Sequence, residues 1–128
     1  MCANSRCRIL VVDDESFVRD VVKMMLAFDG HTVMTAEGGQ EALALLEKEK
    51  FDVVITDLAM PSMKGDELAG AIKARHPRQP VVMITAYAEM FRSPGHPPMG
   101  VDYILSKPFL LDDLRLAITA AASCSRQG

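Results

Sequence analysis

Short apolar runs alternate along the chain with segments whose apolar residues recur at helical spacing. Arg8-Ile9-Leu10-Val11-Val12-Asp13 is an apolar run that ends in acid. After it, Val18, Val21, Val22, Met25 and Leu26 fall at i, i+3, i+4, i+7 and i+8, which predicts one buried face of a helix. Met24 and Met25 are placed on or beside that core stripe. Asp29-Gly30 stops the helix. Thr32 to Ala36 reads as a strand and Gly38-Gly39 as a turn. Ala42, Leu45 and Leu46 mark a second amphipathic helix with a charged end at Glu47 to Lys50. Phe51 to Asp57 is a third strand. Leu68, Ala71 and Ile72 mark a third helix, ended by His76-Pro77. Pro80 to Thr85 and Val101 to Ser106 read as the fourth and fifth strands. Leu111, Leu114, Ile118 and Ala121 mark a last helix, and Ser123 to Gly128 reads as a frayed polar tail or the stub of a linker.

Strands that alternate with helices predict an α/β fold: a five-stranded parallel sheet, doubly wound, with helices on both faces. Strands 1 and 3 are the most uniformly apolar and belong in the centre. Right-handed crossovers then favour the order 2-1-3-4-5. Such sheets bind ligands beyond the carboxyl ends of the strands, where the strand order reverses, here between strands 1 and 3. One stretch resists the pattern. A fourth helix belongs between Ala86 and Gly100, yet Ser93-Pro94-Gly95-His96-Pro97-Pro98 is hostile to it. At most a turn or so of helix is expected near Tyr87 to Arg92, followed by a stiff, irregular loop.

The 128 residues suit one domain, with a core from about 8 to 122 and tails at 1–7 and 123–128. A hydrophobic share of 49% against 24% charged residues marks a globular protein rather than a disordered tail. The net charge of −3 argues against direct nucleic-acid binding. No apolar run reaches the roughly 20 residues that span a bilayer, and the first eight residues carry no apolar signal core. No membrane association and a cytoplasmic location are the expectations. Cys2, Cys7 and Cys124 match no zinc spacing and suit unpaired thiols. His31, His76 and His96 are scattered and receive no role.

The chemistry sits in the last residues of the central strands. Strand 1 ends in Asp13-Asp14-Glu15, strand 3 in Asp57, strand 4 in Thr85-Ala86 and strand 5 in Lys107-Pro108. Singly, each reads as a turn residue, a cap or a surface charge. Together they converge on one edge of the predicted sheet. Two like charges at about 4 Å repel by roughly 1 kcal/mol in water and about 4 kcal/mol at an effective dielectric of 20. Three crowded carboxylates therefore need a cation, and hard oxygen donors with room for water suit Mg2+. Metal, lysine and hydroxyl are the parts that stabilise a transferring phosphoryl group. A carboxylate can accept that group as an aspartyl phosphate. Asp57 stands alone on the central strand and is the candidate acceptor; Asp13 and Asp14 are better placed to hold the metal.

The runs Ile9 to Glu15, Asp57-Leu58-Ala59-Met60-Pro61 with Gly65, Ile84-Thr85-Ala86, and Asp102 to Phe109 resemble the receiver (CheY-like) domain of two-component response regulators. The likeness covers roughly Arg8 to Ala122. It implies a flavodoxin-like fold. It implies that Asp57 takes a phosphoryl group from a phosphohistidine on a sensor histidine kinase or a histidine phosphotransfer protein. Mg2+ would be held by Asp13, Asp14, Asp57 and the backbone carbonyl of Ala59. Thr85 and Lys107 would bind the phosphoryl oxygens. Tyr103 would be the aromatic switch that turns inward as Thr85 moves, and the Lys107-Pro108 bond would be cis. Ala59 and Tyr87 depart from or vary within the family pattern and would set the phosphoryl lifetime. Small Ala86 leaves the approach open. The proline-rich 94–98 segment falls where the family carries its fourth helix and its dimer face. Met60, Met63, Met90 and Met99 fall in loops or near that switch face.

A turnover phosphatase or phosphotransferase is the rival reading. Hydrolases of the haloacid-dehalogenase type share the chemistry but want an acid two residues after the nucleophile, where this chain has Ala59. A degenerate receiver that acts only as a scaffold is the third reading; the complete set Asp13, Asp14, Asp57, Thr85 and Lys107 speaks against it. A switch of this kind speaks to a downstream effector protein or to an output domain outside this sequence.

Overall fold

The computed structural model of the chain describes residues 7–58, 63–85 and 100–127. Its elements are β1 (Arg8–Val12), α1 (Ser16–Phe28), β2 (Thr32–Ala36), α2 (Gly39–Lys48), β3 (Val53–Asp57), α3 (Gly65–Arg75), β4 (Val81–Thr85), β5 (Tyr103–Ser106) and α4 (Leu111–Gln127). All strand pairs are parallel, and the order is β2-β1-β3-β4-β5. This is the predicted doubly wound α/β sheet.

Alternation along the strands separates two cores. Ile9, Val11, Val53, Ile55, Val82, Ile84 and Leu105 face one side and pack with Val22 and Leu26 of α1 and Leu114, Ala117 and Ile118 of α4. Leu10, Val12, Val54, Val81 and Met83 face the other side, with Ala42 and Leu46 of α2 and Leu68, Ala69 and Ile72 of α3. The residues of β3 and β4 are all buried, as two covered faces require, whereas β2 and β5 form half-buried edges.

The first helix closes as its sequence predicts. Gly30 has φ +91°, and the N–H groups of Gly30 and His31 donate to the carbonyls of Ala27 and Leu26 at 2.9 and 3.2 Å. Only a residue without a Cβ takes that φ at no cost, and the paired bonds satisfy carbonyls at the helix end.

Three expectations need correction. Val21 and Met24 are exposed, not part of the core stripe. Val22 and Leu26 carry the buried face, with Val18 and Met25 half-buried beside them, so the helix is rotated relative to the predicted contact. The last helix continues to Gln127, past the tail expected from residue 123. The third strand starts at Val53 rather than Phe51, the fourth at Val81 rather than Pro80, and the fifth at Tyr103 rather than Val101. The short helix expected near Tyr87 to Arg92 and the proline-rich loop at 94–98 lie outside the described residues, as do Met60, Met90 and Met99.

Candidate functional site

The carboxyl edge of the sheet is locked one residue beyond its strands. The Asp13 N–H donates to the Ala36 carbonyl at 3.1 Å, the Leu58 N–H to Ile84 at 3.0 Å, and the Lys107 N–H to Thr85 at 3.0 Å. Each bond prolongs a parallel ladder, so Asp13, Asp57 and Lys107 sit on backbone held at the rim. Asp13, Asp57 and Lys107 also continue the odd-numbered rows Ile9-Val11, Val53-Ile55 and Tyr103-Leu105. Those rows share the α1 and α4 side of the sheet, so strand alternation aims all three side chains from the same face.

There they meet. Lys107 Nζ lies 3.0 Å from Asp57 Oδ1. One carboxylate oxygen from each of Asp13, Asp14 and Asp57 lies within 4.8 Å of the others. Asp13 and Asp57 are buried, while Asp14 is exposed. Burial pushes the Asp13 carboxyl up to about 6, and the charges of Asp57 and Asp14 push the same way. The Glu15 N–H, which donates to Asp13 Oδ1 at 2.9 Å, and the Lys107 charge oppose that rise. Three carboxylates share one lysine, so the cluster keeps an uncompensated negative charge that a hard divalent cation would neutralise. The all-oxygen donor set and the reach of 4.8 Å fit such an ion.

Sequence reasoning missed one supporting side chain. Arg19, one turn into α1, donates from Nη1 to the backbone carbonyl of Asp13 at 2.6 Å. It fastens the start of the helix to the end of β1. An arginine on a helix flank carries no sequence signal for such a contact.

Thr85 is buried at the end of β4, one residue beyond Ile84, the register partner of Asp57. Tyr103 is half-buried against the α1 and α4 core. It pairs with Val82, whereas Thr85 pairs with Ser106, so the two lie three residues apart along neighbouring strands, about 10 Å. The Lys107-Pro108 peptide is cis, as the family resemblance implies. Ala59, Ala86 and Tyr87 lie outside the described residues.

Among the described residues, no helix is long and apolar enough to cross a membrane. Solved structures share this fold. A response regulator receiver domain protein from Clostridium thermocellum superposes with a TM-score of 0.82 at 31% identity, covering 94% of this chain and 97% of that one. The response regulator TrrA from Thermotoga maritima, solved in complex with Mg(2+)-BeF, superposes with a TM-score of 0.78 at 35% identity, covering 88% of this chain and 96% of that one. By sequence, the DNA-binding transcriptional regulator NtrC of Salmonella typhimurium is 37% identical over 90% of this chain. Response regulator MprA of Mycolicibacterium vanbaalenii is 35% identical over 84% of it. The chain spans only 24% of the length of NtrC and 46% of that of MprA. The model of the response regulator receiver domain matches residues 9–119. With the acids and lysine gathered at the rim of a 2-1-3-4-5 sheet, this chain belongs to the response regulator receiver domain family of two-component signalling.

Proposed function

We propose that the chain is a phosphoacceptor switch in which Asp57 takes a phosphoryl group from a phosphohistidine. The observation that carries this reading is the 3.0 Å contact between Lys107 Nζ and Asp57 Oδ1 beside two further carboxylates. The donor would be a sensor histidine kinase or a histidine phosphotransfer protein.

Asp13, Asp14 and Asp57 would hold Mg2+, with the backbone carbonyl of Ala59 as a further ligand. When bound, the ion supplies positive charge at the phosphoryl oxygens and offsets the acidic cluster. The chain's own residues do the rest. An Asp57 carboxylate oxygen bonds to phosphorus as the phosphorus–nitrogen bond breaks, and the electron pair returns to the donor imidazole. Lys107 Nζ, already against Asp57, neutralises charge on the phosphoryl oxygens. The Thr85 hydroxyl donates to one of them. As Thr85 shifts, Tyr103 moves deeper between β4 and α4 and biases a pre-existing equilibrium between two surfaces. An effector protein, or an output domain like those that fill the rest of longer relatives, reads that surface. Asp57 keeps its phosphoryl group as the signal, so the chain works as a switch rather than a turnover catalyst.

Acetyl phosphate with Mg2+ tests the reading. Intact mass should rise by one phosphoryl group, and Asp57→Asn should abolish the gain. An unchanged mass in both proteins refutes the acceptor role. Multiple-turnover phosphate release from small phosphate esters would favour the phosphatase reading instead.

A further inference from the structure

The two acids that follow β1 are held very differently. Asp13 is buried and fixed at three points. Its N–H donates to the Ala36 carbonyl at 3.1 Å, its Oδ1 accepts the Glu15 N–H at 2.9 Å, and its carbonyl accepts Arg19 Nη1 at 2.6 Å. Asp14 is exposed and, among the described residues, has no hydrogen-bond or ion-pair partner of its own. Among those residues, then, only the backbone sets where its carboxylate points.

We infer that Arg19 is a positioning residue for the cation site: its grip on the Asp13 carbonyl aims the Asp14 carboxylate. The inference rests on the reading of Asp13 and Asp14 as Mg2+ ligands. The Asp13 carbonyl and the Asp14 N–H belong to one planar peptide. With the Asp13 N–H already bonded to β2, holding that oxygen fixes ψ of Asp13, and so the plane from which the Asp14 side chain departs. Among the described residues, no other donor reaches the Asp13 carbonyl. Position 19 suits the reach. Its own N–H donates to the Glu15 carbonyl at 3.1 Å, which places it in the first turn of α1. A helical side chain leans toward the N-terminus, so a long one at this position comes back over residues 13–15.

Charge and position have opposite signs here. A guanidinium near a divalent-cation site repels the ion, so if charge were its whole effect, removing it would tighten binding. The charges that act on the Asp13 carboxyl are those of Asp57, Lys107 and Asp14, and Arg19 is not among them. Its influence runs through the main chain. Removing it frees the Asp13-Asp14 peptide to rotate, and gathering the carboxylates on an ion then costs conformational freedom. Groups that orient a metal ligand typically carry roughly 10- to 100-fold of metal affinity. Asp13 keeps its other two anchors, so the lower end of that range, about 10-fold, is expected.

Isothermal titration of the full chain with Mg2+ tests this. Arg19→Met should weaken binding about 10-fold. Arg19→Lys should regain most of that loss, because a lysine can make the single bond that Nη1 makes. Arg19→Gln, polar but too short to reach the carbonyl, should behave as Arg19→Met and carries the test if the apolar side chain upsets the fold; far-UV dichroism identifies the folded variants. In labelling by acetyl phosphate, the Mg2+ concentration for half-maximal rate should rise by the same factor. The rate at saturating Mg2+ should stay within about twofold of the parent's, since Asp57 and Lys107 are untouched. A merely structural role lowers the denaturation midpoint and leaves the Mg2+ requirement where it was. Three results each overturn the positioning role: Mg2+ binding in the Met and Gln variants as tight as the parent's or tighter, no recovery with Arg19→Lys, or a labelling deficit that saturating Mg2+ does not repair. In each case Mg2+ binding by the parent, and its loss in Asp14→Asn, leave the metal reading standing. A parent chain that binds no Mg2+ overturns both.

Discussion

Gly65, the first residue of α3, lies against the backbone of Asp57. A Cβ at position 65 would stand 2.4 Å from the Asp57 carbonyl oxygen and 2.9 Å from the Leu58 Cα. The Gly65 N–H donates to the Leu58 carbonyl at 2.9 Å. The helix is therefore docked, backbone to backbone, on the turn that leaves the candidate acceptor. Gly65→Ala must push that turn or the helix away, since the obstructing atoms are main chain. Urea denaturation should show a loss of about 1–3 kcal/mol. Isothermal titration should show weaker Mg2+ binding as well, because the Asp57 carboxylate moves with its backbone. Unchanged stability and affinity would mean that the turn yields freely.

Lys107 provides the ammonium that reaches Asp57. Lys107→Met keeps most of the aliphatic stem and removes the charge. A hydrogen bond to a charged group contributes about 1.5–3 kcal/mol, so the initial rate of labelling by acetyl phosphate should fall about 10- to 100-fold. Mg2+ binding should persist, since the three acids remain. A labelling rate equal to the parent's would remove Lys107 from the transfer step.

Asp13 gives the site a measurable pH signature. Its carboxyl is raised to about 6 from 3.8, first by burial. The folded, metal-free chain then holds a proton near pH 5 that the unfolded chain has released. Stability therefore falls as pH rises from about 4 to about 6, by at most about 3 kcal/mol. Asp13→Asn should stabilise the metal-free protein at pH 7.5 by up to that amount, and the gain should vanish by about pH 4. His31 has the opposite slope. Burial lowers its pKa, and its Nδ1 accepts the Cys7 N–H at 3.0 Å. Its contribution is complete above about 6.5 and is lost as pH falls through the lowered value. Comparing parent and Asp13→Asn by thermal melts across pH 4–7.5 cancels the histidine and isolates the aspartate. A pH-independent difference would show that Asp13 is not the group that titrates.

Gly70 offers a control remote from the chemistry. It sits inside α3, and a Cβ there would meet no atom within 4 Å. Nothing among the described residues calls for glycine at that position. Gly70→Ala should stabilise the chain by about 0.5–1 kcal/mol, since glycine loses more backbone freedom in a helix. The urea midpoint should rise with no change in labelling by acetyl phosphate. A drop in the midpoint would reveal a packing demand at this face.

Much of this architecture was legible in the order of apolar and polar positions. The uniformly apolar runs at Ile9 to Val12 and Val53 to Ile55 marked interior strands, because a strand covered on both faces tolerates no polar row. With five strands and right-handed crossovers, the strand order followed, and with it the rim where Asp13, Asp14, Asp57, Thr85 and Lys107 had to lie. Those acids were legible as a group because parallel strands all end at the same edge.

Other features depended on the third dimension. Periodicity on α1 admits two overlapping apolar rows, and only the angle at which the helix lies on the sheet decided that Val22 and Leu26 go in while Val21 and Met24 stay out. The grip of Arg19 on the Asp13 carbonyl and the approach of Gly65 to the Asp57 carbonyl are contacts with main-chain atoms, which every residue has and no sequence pattern marks. The reach of Lys107 to Asp57 joins residues fifty positions apart. The chain by itself determined which residues share a strand, a face and an edge, because those follow from local geometry repeated residue by residue. Tertiary packing decided which rows face out and which side chains touch across the rim, because those depend on where whole elements sit against one another.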